Sequence, residues 1–255
     1  MPDPILWSAR SGDLVLPEGE IHIWRANLEL QPAVLERLKA WLAPEEESRS
    51  ARFHFARDRD RFVASRGALR EVLGAYMSIS PGAIQFCYGI HGKPAVRVDD
   101  SGLPIRFNIS HAEGLAVFAF ARGREIGIDL EPISTAFPGE EIAARYFSAQ
   151  ELAELRALQP AERAEGFSLC WTGKEAYAKA RGLGLGIRLD SFSVSLTPGQ
   201  PESLQSEDSS RWTLRSFRPA SNFVAAIVSE GPKCELRYWD WTFREKLHEM
   251  GLGSG

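Results

Sequence analysis

Cysteine is scarce in this 255-residue chain. The three residues, Cys87, Cys170 and Cys234, are far apart and include no C-x-x-C pair. An odd, scattered set argues against a disulfide framework or a cysteine-built zinc site. Long apolar runs are also missing, none approaching the ~20 residues that a membrane-spanning helix needs. Residues 1–10 lack the basic, apolar, small-residue order of a secretory signal, so a cytoplasmic protein with no membrane role is expected. No charge of one sign dominates. Thirty Lys and Arg against 34 Asp and Glu give a net charge of −4, which excludes nucleic-acid binding through bulk positive charge. Several catalytic signatures are absent too. Gly92-Lys93 is followed by Pro94 and Gly173-Lys174 by Glu175, so there is no P-loop. The Gly-Leu-Gly-Leu-Gly run at 182–186 follows a helical pattern instead of joining strand to helix, and no G-x-S-x-G elbow occurs. With 44% hydrophobic and 25% charged residues, what remains is a mixed globular protein of one large domain or two small ones.

Periodicity divides the chain into alternating textures. A strand is predicted over 20–28 and a helix over 32–42, where Val34, Leu35, Leu38, Trp41 and Leu42 recur at helical spacing. Pro44 with Glu45, Glu46 and Glu47 marks a helix start, carboxylates lying at the positive end of the dipole. A longer helix, about 58–76, carries Arg59, Arg66 and Arg70 on one face, read as a solvated face or a cationic one. From 84 to 121 short apolar runs between glycines and prolines predict strands at 84–88, 105–109 and 115–121. The turn Arg122-Gly123-Arg124 leads to a strand at 126–130 and a helix at 140–146. Ser148 and Glu151 form a capping box for the next helix, and a long helix over 161–181 stops at Gly182. Strands at 191–196, 212–217, 223–228 and 236–241 complete the core. The Pro/Ser/Glu-rich stretch 197–210 reads as an exposed, mobile loop. The fold class expected is α+β, with two halves meeting near Gly123.

Four segments carry candidate chemistry. In Gly127-Ile128-Asp129-Leu130-Glu131-Pro132 the strand period of two points Asp129 and Glu131 one way and Ile128 and Leu130 into the core. Paired carboxylates repel unless a cation lies between them, an arrangement that suits Mg²⁺ shared with a phosphate. The same pair on an exposed strand edge would need no metal. On the long helix Trp171, Glu175 and Lys179 are spaced by four and share a face, either as an ordinary ion pair or as a ligand and a phosphate cation. Phe107-Asn108-Ile109-Ser110-His111 ends a strand. Its Ser and His, pointing to opposite faces, are placed to donate to an anion and not to act as a nucleophilic pair. Gly92-Lys93-Pro94 puts a lysine in a turn restricted by the following proline.

Taken in order, Gly92-Lys93-Pro94, Phe107 to His111, Gly127 to Glu131 and the stretch 171–185 resemble the signature series of the 4′-phosphopantetheinyl transferases, in the larger single-chain Sfp type. The resemblance spans about residues 45–195. Arg49 and Arg52 before Phe53 to Phe55, and the stretch 62–70, agree with it. It implies two similar, pseudo-symmetric α+β halves with the active site in the cleft between them. Residues 1–123 would contact the nucleotide, 124–250 would carry the metal and catalytic residues, and 251–255 would form a flexible tail. The implied reaction moves the 4′-phosphopantetheine arm of coenzyme A to a serine of an apo acyl or peptidyl carrier protein, releasing 3′,5′-ADP, with Mg²⁺ required. Such carriers serve fatty-acid, polyketide or nonribosomal-peptide synthesis. By the same resemblance Asp129, Glu131 and Glu175 hold Mg²⁺, Glu175 is the base, and Lys179 neutralises the pyrophosphate. Ser110 and His111 contact the 3′-phosphate side, and the Gly92-Lys93-Pro94 turn lies against adenine with Lys93 available to phosphate. Arg49 and Arg66 are further phosphate cations, and Trp171 is buried to fix the helix pitch. Carrier docking is expected at 132–146, on a monomer. Two departures stand out: Ala112 where the family often has Ser, and Gly173 inside a helix, where glycine is unfavourable by ~1 kcal/mol against alanine.

Overall fold

The computed structural model describes residues 5–9, 14–96, 104–134, 139–182 and 186–243. The tail expected at 251–255 lies outside the described residues. Two main sheets are present. In the first, β1 (Ser8–Ala9), β2 (Glu20–Asn27), β5 (Ile105–Ala112), β6 (Leu115–Arg122) and β12 (Glu235–Trp241) run in the order β1-β12-β2-β6-β5. The second, in the order β10-β11-β7, contains β7 (Ile126–Pro132), β10 (Trp212–Phe217) and β11 (Phe223–Glu230). Two short ladders pair β3 (Phe86–Tyr88) with β4 (Pro94–Val96), and β8 (Ser193–Val194) with β9 (Leu204–Gln205). The helices are α1 (Pro32–Lys39), α2 (Pro44–Ser50), α3 (Ala56–Met77), α4 (Gly139–Tyr146), α5 (Ala149–Ala157) and α6 (Arg163–Arg181).

Side-chain alternation along the strands builds three apolar layers. Trp24, Ala26, Phe118 and Phe120 face α3 and pack with its Leu69, Val72 and Leu73. The opposite faces of the same strands, with Ile21, Ile23, Val117 and Ala119, meet Ile126, Ile128, Leu130 and Ile227 of the second sheet. The outer face of that sheet, through Ala226 and Val228, packs with Cys170, Ala176, Tyr177 and Ala180 of α6. The order is therefore α3, first sheet, second sheet, α6. Each half backs its own sheet with one long helix, the two-half α+β arrangement expected. No helix among the described residues is long and apolar enough to cross a membrane.

Most elements fall where periodicity puts them, and the departures have physical causes. The arginine face of α3 is solvated only at Arg59. Arg66 and Arg70 are buried, and their Nε atoms donate to the two oxygens of Glu46 at 2.5 and 2.7 Å. Glu46 also accepts from the Ala43 N–H at 2.9 Å, so one buried carboxylate fastens α2 to α3. The strand expected at 191–196 shrinks to Ser193–Val194, preceded by a 3₁₀ turn at Leu189–Ser191. There the fully buried Lys174 pulls the Leu189 and Phe192 carbonyls onto its ammonium, each at 2.7 Å. The 197–210 loop is anchored, since Asp208 accepts from the Tyr177 hydroxyl at 2.5 Å and the Trp212 indole at 3.1 Å. The last strand, β12, lies parallel between β1 and β2 in the first sheet, so the chain returns from the second half to the first.

Candidate functional site

The acidic strand motif and the long-helix motif meet where α6 crosses β7. Alternation sends Ile126, Ile128 and Leu130 into the inter-sheet core and turns Gly127, Asp129 and Glu131 toward α6. Spacing by four puts Trp171, Glu175 and Lys179 on one side of α6. The two elements touch at Gly127. A Cβ there would lie 2.1 Å from the Ala176 carbonyl oxygen and 2.3 Å from the Ala180 nitrogen, so only glycine lets the helix settle this close.

Lys179 reaches back across β7. Its ammonium donates to Asp129 Oδ1 at 2.6 Å, to the Ile128 carbonyl at 3.2 Å and to Ser110 Oγ at 3.3 Å. Ser110, on β5 of the first half, donates to the same Asp129 oxygen at 2.9 Å. Two residues earlier, Asn108 Oδ1 accepts the Ile128 N–H at 2.8 Å and locks β5 onto β7. A carboxylate, an ammonium and a hydroxyl from three elements and both halves thus form one cluster. Burial and the charge on Asp129 push Glu131 up to about 7, against the pull of Lys179 and a hydrogen bond from Trp171. Burial, then Asp129, also raises Glu175 above the ordinary carboxylate range. These are acids crowded by like charge in a partly dehydrated place.

Such crowding is what a dication relieves, and hard oxygen donors suit Mg²⁺. Asp129 Oδ2 is buried with no hydrogen-bond partner among the described residues, a spare lone pair beside the two protonation-prone glutamates. Among the described residues no group of three or more His, Cys, Asp or Glu is already gathered as an ion cage. Lys179 sits on Asp129 instead. The donor chemistry fits Mg²⁺, and the three carboxylates must draw together to hold it.

The other residues singled out in the sequence are spread around this cluster. His111 is exposed at the end of β5, and its pKa is lowered by partial desolvation of the ring and then by Lys179, Arg49 and Arg61. The same three cations make a positive field around this imidazole. Arg49 is exposed, its guanidinium 5.4 Å above the Phe62 ring. Arg66 stands apart from the cluster, buried against Glu46. Gly92 (φ 77°) turns the β3–β4 hairpin, and Pro94 begins β4. Lys93 does not face open solvent. Its ammonium donates to Glu125 Oε2 and the Ile126 carbonyl at 3.0 Å each, and to the Ala180 carbonyl at 3.3 Å.

Sequence reasoning passed over the burial of Lys174 and saw only part of the roles of Trp171 and Gly173. Lys174, wholly buried beside Glu175 in sequence, pairs with the equally buried Glu151 at 2.7 Å and fixes α6 against α5. Its lysine identity gave no sign of burial, although the capping-box Glu151 was in view. Trp171 stacks on Phe167 (6.1 Å, 11°) and also donates to Glu131, so it holds a carboxylate as well as a helix. Gly173, read as an unfavourable helix residue, is where a Cβ would meet Val194 Cγ2 at 3.2 Å, a reason for the small residue. Beside Glu131 opens a cavity of about 680 Å³, walled by Pro132, Ile142, Phe167 and Trp171 among others.

Comparison with known proteins gives matches along most of the chain. A family model described as "4'-phosphopantetheinyl transferase superfamily" matches residues 125–228. A second, described as "4'-phosphopantetheinyl transferase, N-terminal", matches residues 29–122. The 4′-phosphopantetheinyl transferase HetI of Nostoc sp. is 37% identical over 237 residues, covering 92% of this chain and 98% of that protein. The 4′-phosphopantetheinyl transferase Sfp of Bacillus subtilis is 34% identical over 202 residues, covering 77% and 86%. A solved holo-(acyl-carrier-protein) synthase from Bacillus anthracis, in complex with CoA, aligns with 42% of this chain and 94% of that one. Its identity is 20% and its TM-score 0.35, a likeness too low to build on.

Proposed function

The chain belongs to the 4′-phosphopantetheinyl transferase superfamily, and on that premise we propose that it moves the 4′-phosphopantetheine of coenzyme A to a serine of an apo carrier protein. The observation that carries the reading is the Ser110–Asp129–Lys179 cluster, with Glu131 and Glu175 beside it. It combines anion-binding donors with three crowded carboxylates that share one ammonium, Lys179.

In this reading the carrier serine oxygen forms a bond to the β-phosphorus of the coenzyme A pyrophosphate. The bond from that phosphorus to the bridging oxygen breaks, and 3′,5′-ADP leaves with the electron pair. Little covalent help is needed; positioning and charge neutralisation carry the step. Lys179 stabilises the pyrophosphate, turning from Asp129 toward the added negative charge. Glu175 takes the serine proton as the placed base. Asp129, Glu131 and Glu175 would hold Mg²⁺, whose charge would neutralise the diphosphate and the departing oxygen. Ser110, His111 and Arg49 would receive the 3′-phosphate end, and the Gly92-Lys93-Pro94 turn would lie along the adenine. Residues 1–123 then supply nucleotide contacts and 124–250 the metal ligands and base. The cavity beside Glu131, with Pro132, Gly139, Glu140 and Ile142 on its wall, supports carrier approach along 132–146.

The test is direct. Incubating the protein with coenzyme A, Mg²⁺ and an apo carrier, then weighing the carrier by mass spectrometry, should show one added phosphopantetheine and an equal yield of 3′,5′-ADP. Release of 3′,5′-ADP without any carrier, or bound coenzyme A with no mass gain on acyl and peptidyl carriers alike, would overturn the reading.

A further inference from the structure

A lysine ammonium has three N–H donors. Those of Lys93 are all engaged, by the Glu125 carboxylate, the Ile126 carbonyl and the Ala180 carbonyl. None is left for a phosphate. The three acceptors mark a particular place. Ile126 opens β7, three residues before Asp129, with Glu125 just ahead of it, and Ala180 directly follows Lys179 at the end of α6. Carbonyls in the last turn of a helix lack an intrahelical partner and carry the negative end of the dipole, so a cation there is doubly favoured. The lysine stem also lies against the helix terminus, its Cδ 3.7 Å from where a Cβ on Gly182 would stand. One residue beyond Ile126 is Gly127, the point of closest approach between β7 and α6. Lys93 itself comes from the β3–β4 hairpin of the first half, 87 residues before Ala180 in sequence.

We propose that Lys93 is a positioning residue, a clasp that ties the end of α6 to the start of β7 and thereby sets Lys179 and Glu175 against Asp129. This rests on the catalytic reading of those three residues. Because the clasp hangs from the turn assigned to adenine, it joins the seating of the nucleotide to the geometry of the reacting groups. Glu125 is the clasp's charged partner, and Arg106 holds its other oxygen at 3.2 Å.

Three variants test it: Lys93→Met, Lys93→Arg and Glu125→Gln. Amide hydrogen exchange across 176–182 in the free protein reads the clasp without reference to activity. Faster exchange in Lys93→Met and Glu125→Gln is expected, and unchanged exchange in both would overturn the proposal. In transfer assays both should lower kcat about 10- to 100-fold, the loss typical of small misplacement. The coenzyme A Kd by calorimetry should change by a smaller factor than kcat, and the double variant should be no worse than Lys93→Met alone. Lys93→Arg should restore part of kcat. If Lys93→Met instead weakens coenzyme A binding with kcat intact and Glu125→Gln is silent, Lys93 is a phosphate cation and the clasp is refuted. A parent protein that transfers nothing sinks the assigned reaction but leaves the exchange result to judge the clasp.

Discussion

Glu131 holds its proton up to about pH 7 because it is half-buried beside the charge on Asp129. A folded state that binds the proton more tightly than the unfolded chain is stabilised below the ordinary glutamate value of 4.5, and that stability is lost as the pH rises through about 7. In metal-free protein, Glu131→Gln should therefore stabilise the fold at pH 8 by ~1–2 kcal/mol after allowance for solvent screening, and do nothing near pH 4.5. Urea unfolding at the two pH values reads this, and equal stabilisation at both would refute the crowding. Glu175→Gln should keep the fold and lower kcat at saturating Mg²⁺ and coenzyme A by ~10²- to 10⁴-fold, the usual worth of a placed base. Near-normal turnover in steady-state carrier assays would remove Glu175 from that role.

Between elements, the contact of β7 with α6 has no slack. Gly127→Ala must push the helix away from Ala176 and Ala180, at ~1–3 kcal/mol of stability for overpacking. Because Lys179 moves with the helix, turnover should fall as well. A thermal melt together with a rate measurement checks both, and a variant with parental stability and rate would contradict the packing. The α2–α3 joint is a second tight coupling. Removing Glu46 leaves two buried guanidinium groups without their carboxylate, so Glu46→Ala should destabilise by ~3–5 kcal/mol in chemical denaturation. These two joints differ in how far the sequence discloses them. The facing of Asp129 and Glu131 away from Ile128 and Leu130 is written in strand alternation, and the common side of Trp171, Glu175 and Lys179 in helical spacing. Their convergence with Ser110 depends on pairing between distant segments, and only the family motifs hinted at it. Arg66 and Arg70 were illegible because α3 is covered nearly all round, so no polar face survives to separate solvated arginines from paired ones. Lys93 read as a free cation because its three acceptors lie 32 to 87 residues away.

Across the molecule, the two halves are interlocked by the chain's return. β12 lies between β1 and β2, and Trp239 stacks on Trp24 at 5.6 Å. A fragment of residues 1–123 lacks that strand and exposes the inter-sheet face of Ile21, Ile23, Val117 and Ala119. It should not fold alone, with no dispersed amide spectrum, whereas a mixture with residues 124–255 should recover order; a cooperatively folded fragment would contradict the interlock. The boundary expected near Gly123, legible as a turn between strands, would then divide the sequence without being a place where the molecule can be cut. The last strand also sets a timetable. A growing polypeptide leaving the ribosome leaves Trp24 without its stacking partner Trp239 until about 200 more residues have been made. Completion of the first sheet must therefore wait for β12, and slow translation or an early stop before it leaves an open, sticky edge on β2 that chaperones have to guard.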